Sequence, residues 1–193
     1  MHAAFILASR SPRRRALLEH LGFEPILQPP DVDETILAGE SPREAAGRLA
    51  RLKAKAISAH VPVLASDTVV DLEGVPLGKA ASRDEARTML KKLSGKAHWV
   101  HTGVAIEGPE PGQVIVSARV SFRPLTTVEV EGYLDTDEPY DKAGAYGVQG
   151  LAGAFVDRIE GSYTGIIGLP LREALELLAR NGVFPPGPIR NEA

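Results

Sequence analysis

The sequence predicts an α/β fold, a mixed sheet flanked by helices and divided into two lobes around a cleft. Three observations lead there. Strand-like and helix-like segments alternate through the first half, while the second half holds paired alternating strands. Hydrophobic residues fill 44% of the 193 positions, enough for a real core in one domain. Helix starts are marked by Ser11-Pro12, Ser41-Pro42 and Ser82, and helix stops by Gly22, Ser94-Gly95 and Gly182.

Taken in order, Ala3 to Ala8 is an apolar strand and Pro12 to Leu21 a helix. Phe23 to Leu27 reads as a second strand, broken by Pro29-Pro30. The helix from Ser41-Pro42 runs to about His60. Val61 to Val70 is a strongly apolar strand, and Ser82 caps a helix over Asp84 to Leu93. Ala97 to Ile106 and Val114 to Phe122 alternate like two antiparallel strands joined by a Gly/Pro turn. Thr127 to Asp135 is a short helix, and Asp141 to Gly153 a glycine-rich loop. Ala154 to Ile159 and Thr164 to Ile167 read as strands, and Pro170 to Asn181 as the last helix. One domain covers residues 1–193, with a loose tail from about Pro185.

Composition narrows the function classes. The net charge is -3, so no basic excess points to nucleic acid. No apolar run is long enough to span a bilayer, and Arg13 to Arg15 interrupt the chain before a signal peptide could form. The absence of cysteine excludes a disulfide scaffold, a thiolate metal site and a cysteine nucleophile. These features point to a cytoplasmic protein with neither membrane nor nucleic-acid partners.

Several residues stand out chemically. Arg13, Arg14 and Arg15 crowd the first turn of a helix, where the dipole disfavours each cation by roughly 0.3–1 kcal/mol. A bound anion relieves that, and residues 9–14, with Ser9 at their start, read as a phosphate cradle. Solvated arginines on an exposed turn are the plainer reading. Asp67 lies within the apolar strand Val63 to Val70, where a carboxylate is costly unless it is paired or bound to metal. Asp31-Val32-Asp33-Glu34 offers oxygen ligands for a hard cation, although alone it reads as an acidic surface loop. Lys53 shares an apolar helix stripe with Ala46, Ala50 and Ile57; by default its amine snorkels to water, and the alternative is that it points into a site.

Gly74 to Ala80 has the look of a phosphate loop but lacks its spacing and the Ser or Thr after Lys79. Lys79 can still meet phosphate as a point charge. The loop Gly144 to Gly150 fails the dinucleotide fingerprint. Its Gln149 can both donate and accept, as the O4 and N3–H edge of uracil or thymine requires. His98 and His101 fall on opposite strand faces and read as structural.

As an ordered set, these segments resemble the Maf family of nucleoside triphosphate pyrophosphatases, whose name derives from inhibition of septum formation. The resemblance rests on Leu7 to Arg14, Asp33-Glu34, Leu49 to Ala56, Ser66 to Val70, Gly78-Lys79, Lys92 to Gly95, Asp141 to Gly150, Ile159 to Tyr163 and Ile166 to Leu171. It implies a nucleotide-binding cleft and cleavage between the α and β phosphates. Asp67 matches the family's proton acceptor. Arg13, Thr68 and Gln149 match positions linked to base selection, and their identities resemble the subfamily acting on dTTP and UTP. Glu34, Lys53 and Lys79 match other polar positions of that site, and Ser9 belongs to the phosphate cradle. Mg²⁺ or Mn²⁺ on Asp67 and Glu34 is implied, as is a homodimer. Whether Asp67 acts as base or as metal ligand stays open. So do two alternatives: a nucleotide-binding regulator of cell division, and the same chemistry on 7-methyl-GTP or a deaminated purine nucleotide. Two residues depart from the pattern: Arg10, where small residues are common, and Ala80, where proline is frequent.

Overall fold

A computed structural model describes residues 4–186. Seven strands form one mixed sheet: β1 (Ile6–Leu7), β2 (Ile26–Leu27), β3 (Val63–Leu72), β4 (Val75–Leu77), β5 (Ala97–Glu107), β6 (Gly112–Phe122) and β7 (Val156–Glu160). Their order is β2-β1-β3-β5-β6-β7, with β4 paired to the far end of β3. The helices are α1 (Pro12–His20), α2 (Pro42–Lys55), α3 (Arg83–Leu93), α4 (Thr127–Leu134), α5 (Tyr163–Ile167) and α6 (Leu171–Arg180).

The topology places the cleft. β1 pairs in parallel with both β2 and β3. The chain leaves β1 outward through α1 to β2, then returns across β1 through α2 to β3. Connections that run opposite ways put their helices on opposite faces, and a crevice opens at the carboxyl ends of the two strands between them. The cores agree. Leu7, Leu18, Leu64 and Leu178 pack on the α1 and α6 face, while Ile6, Ala50, Ala54 and Ala65 pack on the α2 face. β1 stops at Leu7, opposite Leu64, and β4 joins only at Val70. Between these points β3 has its ladder to β5 on one side and the crevice on the other. A third core, around Leu90, Phe122, Tyr133 and Tyr146, lies beyond the crevice. The two lobes are thus two stretches of one continuous sheet.

α2 lies unusually close to the sheet. A Cβ on Gly103 would sit 2.3 Å from the Ala46 carbonyl oxygen, and one on Gly47 would sit 2.5 Å from Ile115 Cδ1. A reciprocal capping box fixes where α2 starts: Ser41 accepts from the Glu44 amide, and Glu44 accepts from that of Ser41.

Three expectations need correction, and one strand appears that none of them named. Thr164 to Ile167 is not a strand but lies within the short helix α5. Its β-branched residues suggest a strand, yet Ser162 accepts from the Gly165 amide and Gly168 closes the turn at φ 124°. β2 is confined to Ile26–Leu27, because Phe23 turns inward to meet Phe5 edge-on at 5.4 Å. α2 ends at Lys55 rather than near His60. β4 was not anticipated, since three residues carry no period. The expected loose tail falls mainly on residues outside those described.

Candidate active site

Asp67 and Thr68 are consecutive on β3, so they point to opposite faces of the sheet at the lip of the crevice. Asp67 faces α2. There its Oδ1 accepts from Lys53 Nζ at 2.6 Å, and both side chains are almost fully buried. The approach of α2 over Gly103, the ladder partner of Asp67, brings the lysine within reach. Lys53 does not snorkel to water. Its amine points into the crevice and also meets Glu34 Oε2 at 2.7 Å. Of the acidic loop, Glu34 alone turns inward to the lysine, while Asp33 caps the Thr35 amide in an exposed local turn.

Thr68 faces the other way. Its hydroxyl lies 3.1 Å from that of Thr102, which donates to the Gly165 carbonyl of α5. Arg14 fills this side: it donates to the Gly168 carbonyl, to Ser9 Oγ and to Thr68 Oγ1. Burial pulls its guanidinium below the ordinary value, against the opposing pull of Asp67. The three arginines therefore diverge, although Ser9 to Arg14 all line the crevice. Arg14 braces the crevice wall, Arg15 pairs outward with Glu19, and Arg13 reaches across the mouth to Asp141 at 2.6 Å. Partial burial raises the Asp141 carboxyl, but hydrogen bonds from Lys142 and Arg13 outweigh it and hold the group below its usual range.

Ser9, Arg13, Glu34, Lys53, Asp67, Thr68, Lys79 and Gln149 all line a single cavity of about 550 Å³. Arg10, Arg14, Asp141 and Lys142 line it as well. Six cationic side chains thus face three carboxylates, an excess of three positive charges in a chain whose net charge is -3. Such a cleft focuses potential onto a polyanion. Across from Asp67 the wall is the loop 142–150. It is anchored by the bridge between Lys79 and Ala143 and by the Gly144 amide donating to the Gly78 carbonyl. Tyr146 adds a third anchor, its hydroxyl 2.8 Å from His98 Nε2. Burial drives His98 down to about 4, so its ring is neutral at pH 7. His101, on the other face, sits between Ser117 Oγ and Asp71 Oδ2.

Among the described residues, no group of three or more His, Asp or Glu converges as a ready metal cage. Asp67 and Glu34 flank Lys53 inside the cavity, and each has a second carboxylate oxygen beyond the one on the lysine. That donor set suits a hard cation whose shell is completed by phosphate and water oxygens. Arg14 falls within the predicted cradle, and its bonds to Gly168, Ser9 and Thr68 make it part of the wall. Asp141 is marked in the sequence only as the first residue of the glycine loop, and its pairing with Arg13 depends on the fold.

Comparisons with known proteins follow the same lines. The family model described as Maf-like protein matches residues 4–181. A dTTP/UTP pyrophosphatase of Methylobacillus flagellatus is 45% identical over 187 residues, covering 94% of each chain. One from Anaeromyxobacter sp. is 47% identical over 184 residues, covering 92% of this chain and 89% of its own. Among solved structures, a HAM1 protein from Coxiella burnetii is similar at 24% identity with a TM-score of 0.44, covering 62% of this chain and 73% of that one. With the family model spanning nearly the whole chain and relatives of this identity, the protein belongs to the Maf-like family.

Proposed function

We propose that this protein is a nucleoside triphosphate pyrophosphatase that hydrolyses dTTP and UTP to the monophosphate and pyrophosphate. The observation that carries the reading is the cleft itself, an excess of cations beside a buried carboxylate held by Lys53. The names of relatives 45–47% identical to this chain support the choice of dTTP and UTP.

In this reading, water attacks the α phosphorus and its proton passes to Asp67. The bond from the α phosphorus to the α–β bridging oxygen breaks, and pyrophosphate leaves with that oxygen. Lys53 orients the Asp67 carboxylate. Arg13 and Lys79 bind phosphate oxygens and take up developing negative charge. Ser9 and Thr68 add hydroxyl contacts, and Gln149 meets the O4 and N3–H edge of the pyrimidine. Asp67 and Glu34 would hold Mg²⁺ or Mn²⁺ in this proposal. When bound, it would neutralise phosphate charge and acidify a coordinated water. The reading extends to a cytoplasmic homodimer acting on free nucleotides, which light scattering tests for assembly.

The decisive experiment is pyrophosphate release from a panel of canonical and modified triphosphates, with Mg²⁺ or Mn²⁺ and with chelator. Metal-dependent turnover strongest on dTTP and UTP is expected. Turnover on a methylated or deaminated purine instead would keep the chemistry and discard the base assignment. No turnover from folded protein would favour a nucleotide-binding regulator.

A further inference from the structure

The loop that carries Gln149 is fixed from behind by a carboxylate outside the cavity. Glu138 opens the 3-10 turn Glu138–Asp141, and a second 3-10 turn, Leu151–Phe155, follows Gln149-Gly150 directly. The first amides of that second turn need acceptors, and Gly150 has no side chain to supply one. Glu138 supplies both. Its Oε2 accepts from the Leu151 amide at 2.8 Å, and its Oε1 accepts from the Ala152 amide at 3.2 Å.

Two further contacts hold Glu138 in register, one to its carboxylate and one to its backbone. Tyr133 donates its hydroxyl to Oε1 at 3.0 Å, and Lys142 Nζ donates to the Glu138 carbonyl at 2.8 Å. Burial, and then the charge of Glu138, push the Tyr133 hydroxyl up, so it stays a donor. The glycines flanking Val148-Gln149 are shaped to this arrangement. A Cβ on Gly150 would lie 2.1 Å from Glu138 Oε2, and one on Gly147 would lie 2.8 Å from Lys142 Cε. Gln149 is two residues from the clamped Leu151 amide, so fixing that amide fixes where the Gln149 side chain starts.

We propose that Glu138 is the positioning residue for base selection, setting from outside the cavity the backbone that presents Gln149 to the nucleobase. It does not line the cavity and touches no reacting atom. The inference rests on the reading of Gln149 as the base contact, and it adds the residue on which that contact depends.

The test compares Glu138→Gln, Gln149→Ala and the double variant with the unaltered full chain. The readouts are kcat and KM for UTP, dTTP, CTP and GTP, and amide hydrogen exchange at Leu151 and Ala152. Glu138→Gln replaces two charged acceptors with one neutral one. Exchange at both amides should quicken. KM for UTP and dTTP should rise, and their preference over CTP and GTP should fall, by about tenfold, with kcat shifting less than about threefold. The double variant should discriminate no worse than Gln149→Ala, since one residue acts through the other. Faster exchange with unaltered KM and preference overturns the proposal, as does a loss confined to kcat. If Gln149→Ala leaves the preference intact, the base reading itself fails. If Gln149→Ala flattens the preference and Glu138→Gln does not, only the positioning role fails. Should Glu138→Gln not fold, Tyr133→Phe removes one donor and leaves the carboxylate; a smaller shift in the same direction is expected, and an unaltered preference overturns the proposal.

Discussion

The two walls of the cleft are built by opposite means. The Asp67 wall is strand: β3 is bonded along its length to β5, and α2 is pressed onto the pair by facing glycines. The Gln149 wall is loop, anchored by side chains and single bonds from four directions: Glu138, His98, Gly78 and Arg13. The proposed function puts chemistry on the wall that sheet and core over-determine, and recognition on the wall whose anchors can be exchanged without unfolding the sheet. A scaffold of this kind lets substrate choice vary while the reacting geometry stays fixed.

The sharpest break removes the Asp67 carboxylate. Asp67→Asn should lower pyrophosphate release by about 100- to 10,000-fold while circular dichroism keeps the native signal. Near-normal turnover would dismiss Asp67 as proton acceptor. Next is its partner. Lys53→Met strands a buried carboxylate, which should cost about 3–5 kcal/mol in urea unfolding. Glu34 is half exposed, so Glu34→Gln should cost under about 1 kcal/mol. Equal losses from the two would contradict the buried pair as the anchor of this wall.

The loop wall responds differently. Gln149→Glu should alter the relative rates for UTP, CTP and GTP by about tenfold and barely move the unfolding midpoint. Unaltered relative rates would remove Gln149 from base selection. A separate test of the same wall uses pH. Folding lowers His98 from 6.5 to about 4, so between those values the unfolded chain binds more protons. The contribution is complete above pH 6.5 and is lost as pH falls to about 4, a change of about 3 kcal/mol. His98→Gln should flatten that part of the stability profile; an unaltered slope would show that His98 does not titrate with folding.

Much of this was legible because its causes are local. Ser11, Ser41 and Ser82 cap their helices through amides three residues on, and that spacing is visible in the chain. Asp67 stood out because a carboxylate inside an apolar strand demands a partner. The pairing with Lys53 is not visible in the chain: its helix stripe alone reads as a snorkelling lysine, and the approach of α2 over Gly103 turns its amine inward. α5 was misread because the β-branched residues Thr164, Ile166 and Ile167 suggest a strand, and what holds the helix is distant: Thr102 bonding Gly165, and Ser66 and Arg14 bonding Gly168. Glu138 carried no sequence signal, since its bonds to Leu151 and Ala152 span 13 and 14 residues.

By itself the sequence determined the α/β class, the helix starts, the family and the set of polar residues that meet in the cavity. The class and the helix starts follow from composition, period and caps, which act within a few residues, while the family and the polar set follow from the ordered resemblance to Maf proteins. Tertiary structure decided that β1 stops short of the Asp67 stretch of β3, that Arg13 and Arg14 part company, and that a carboxylate behind the wall holds the glycine loop. Each of these depends on which segments lie side by side, and a single buried ion pair or capped turn fixes it only once the chain has closed around it.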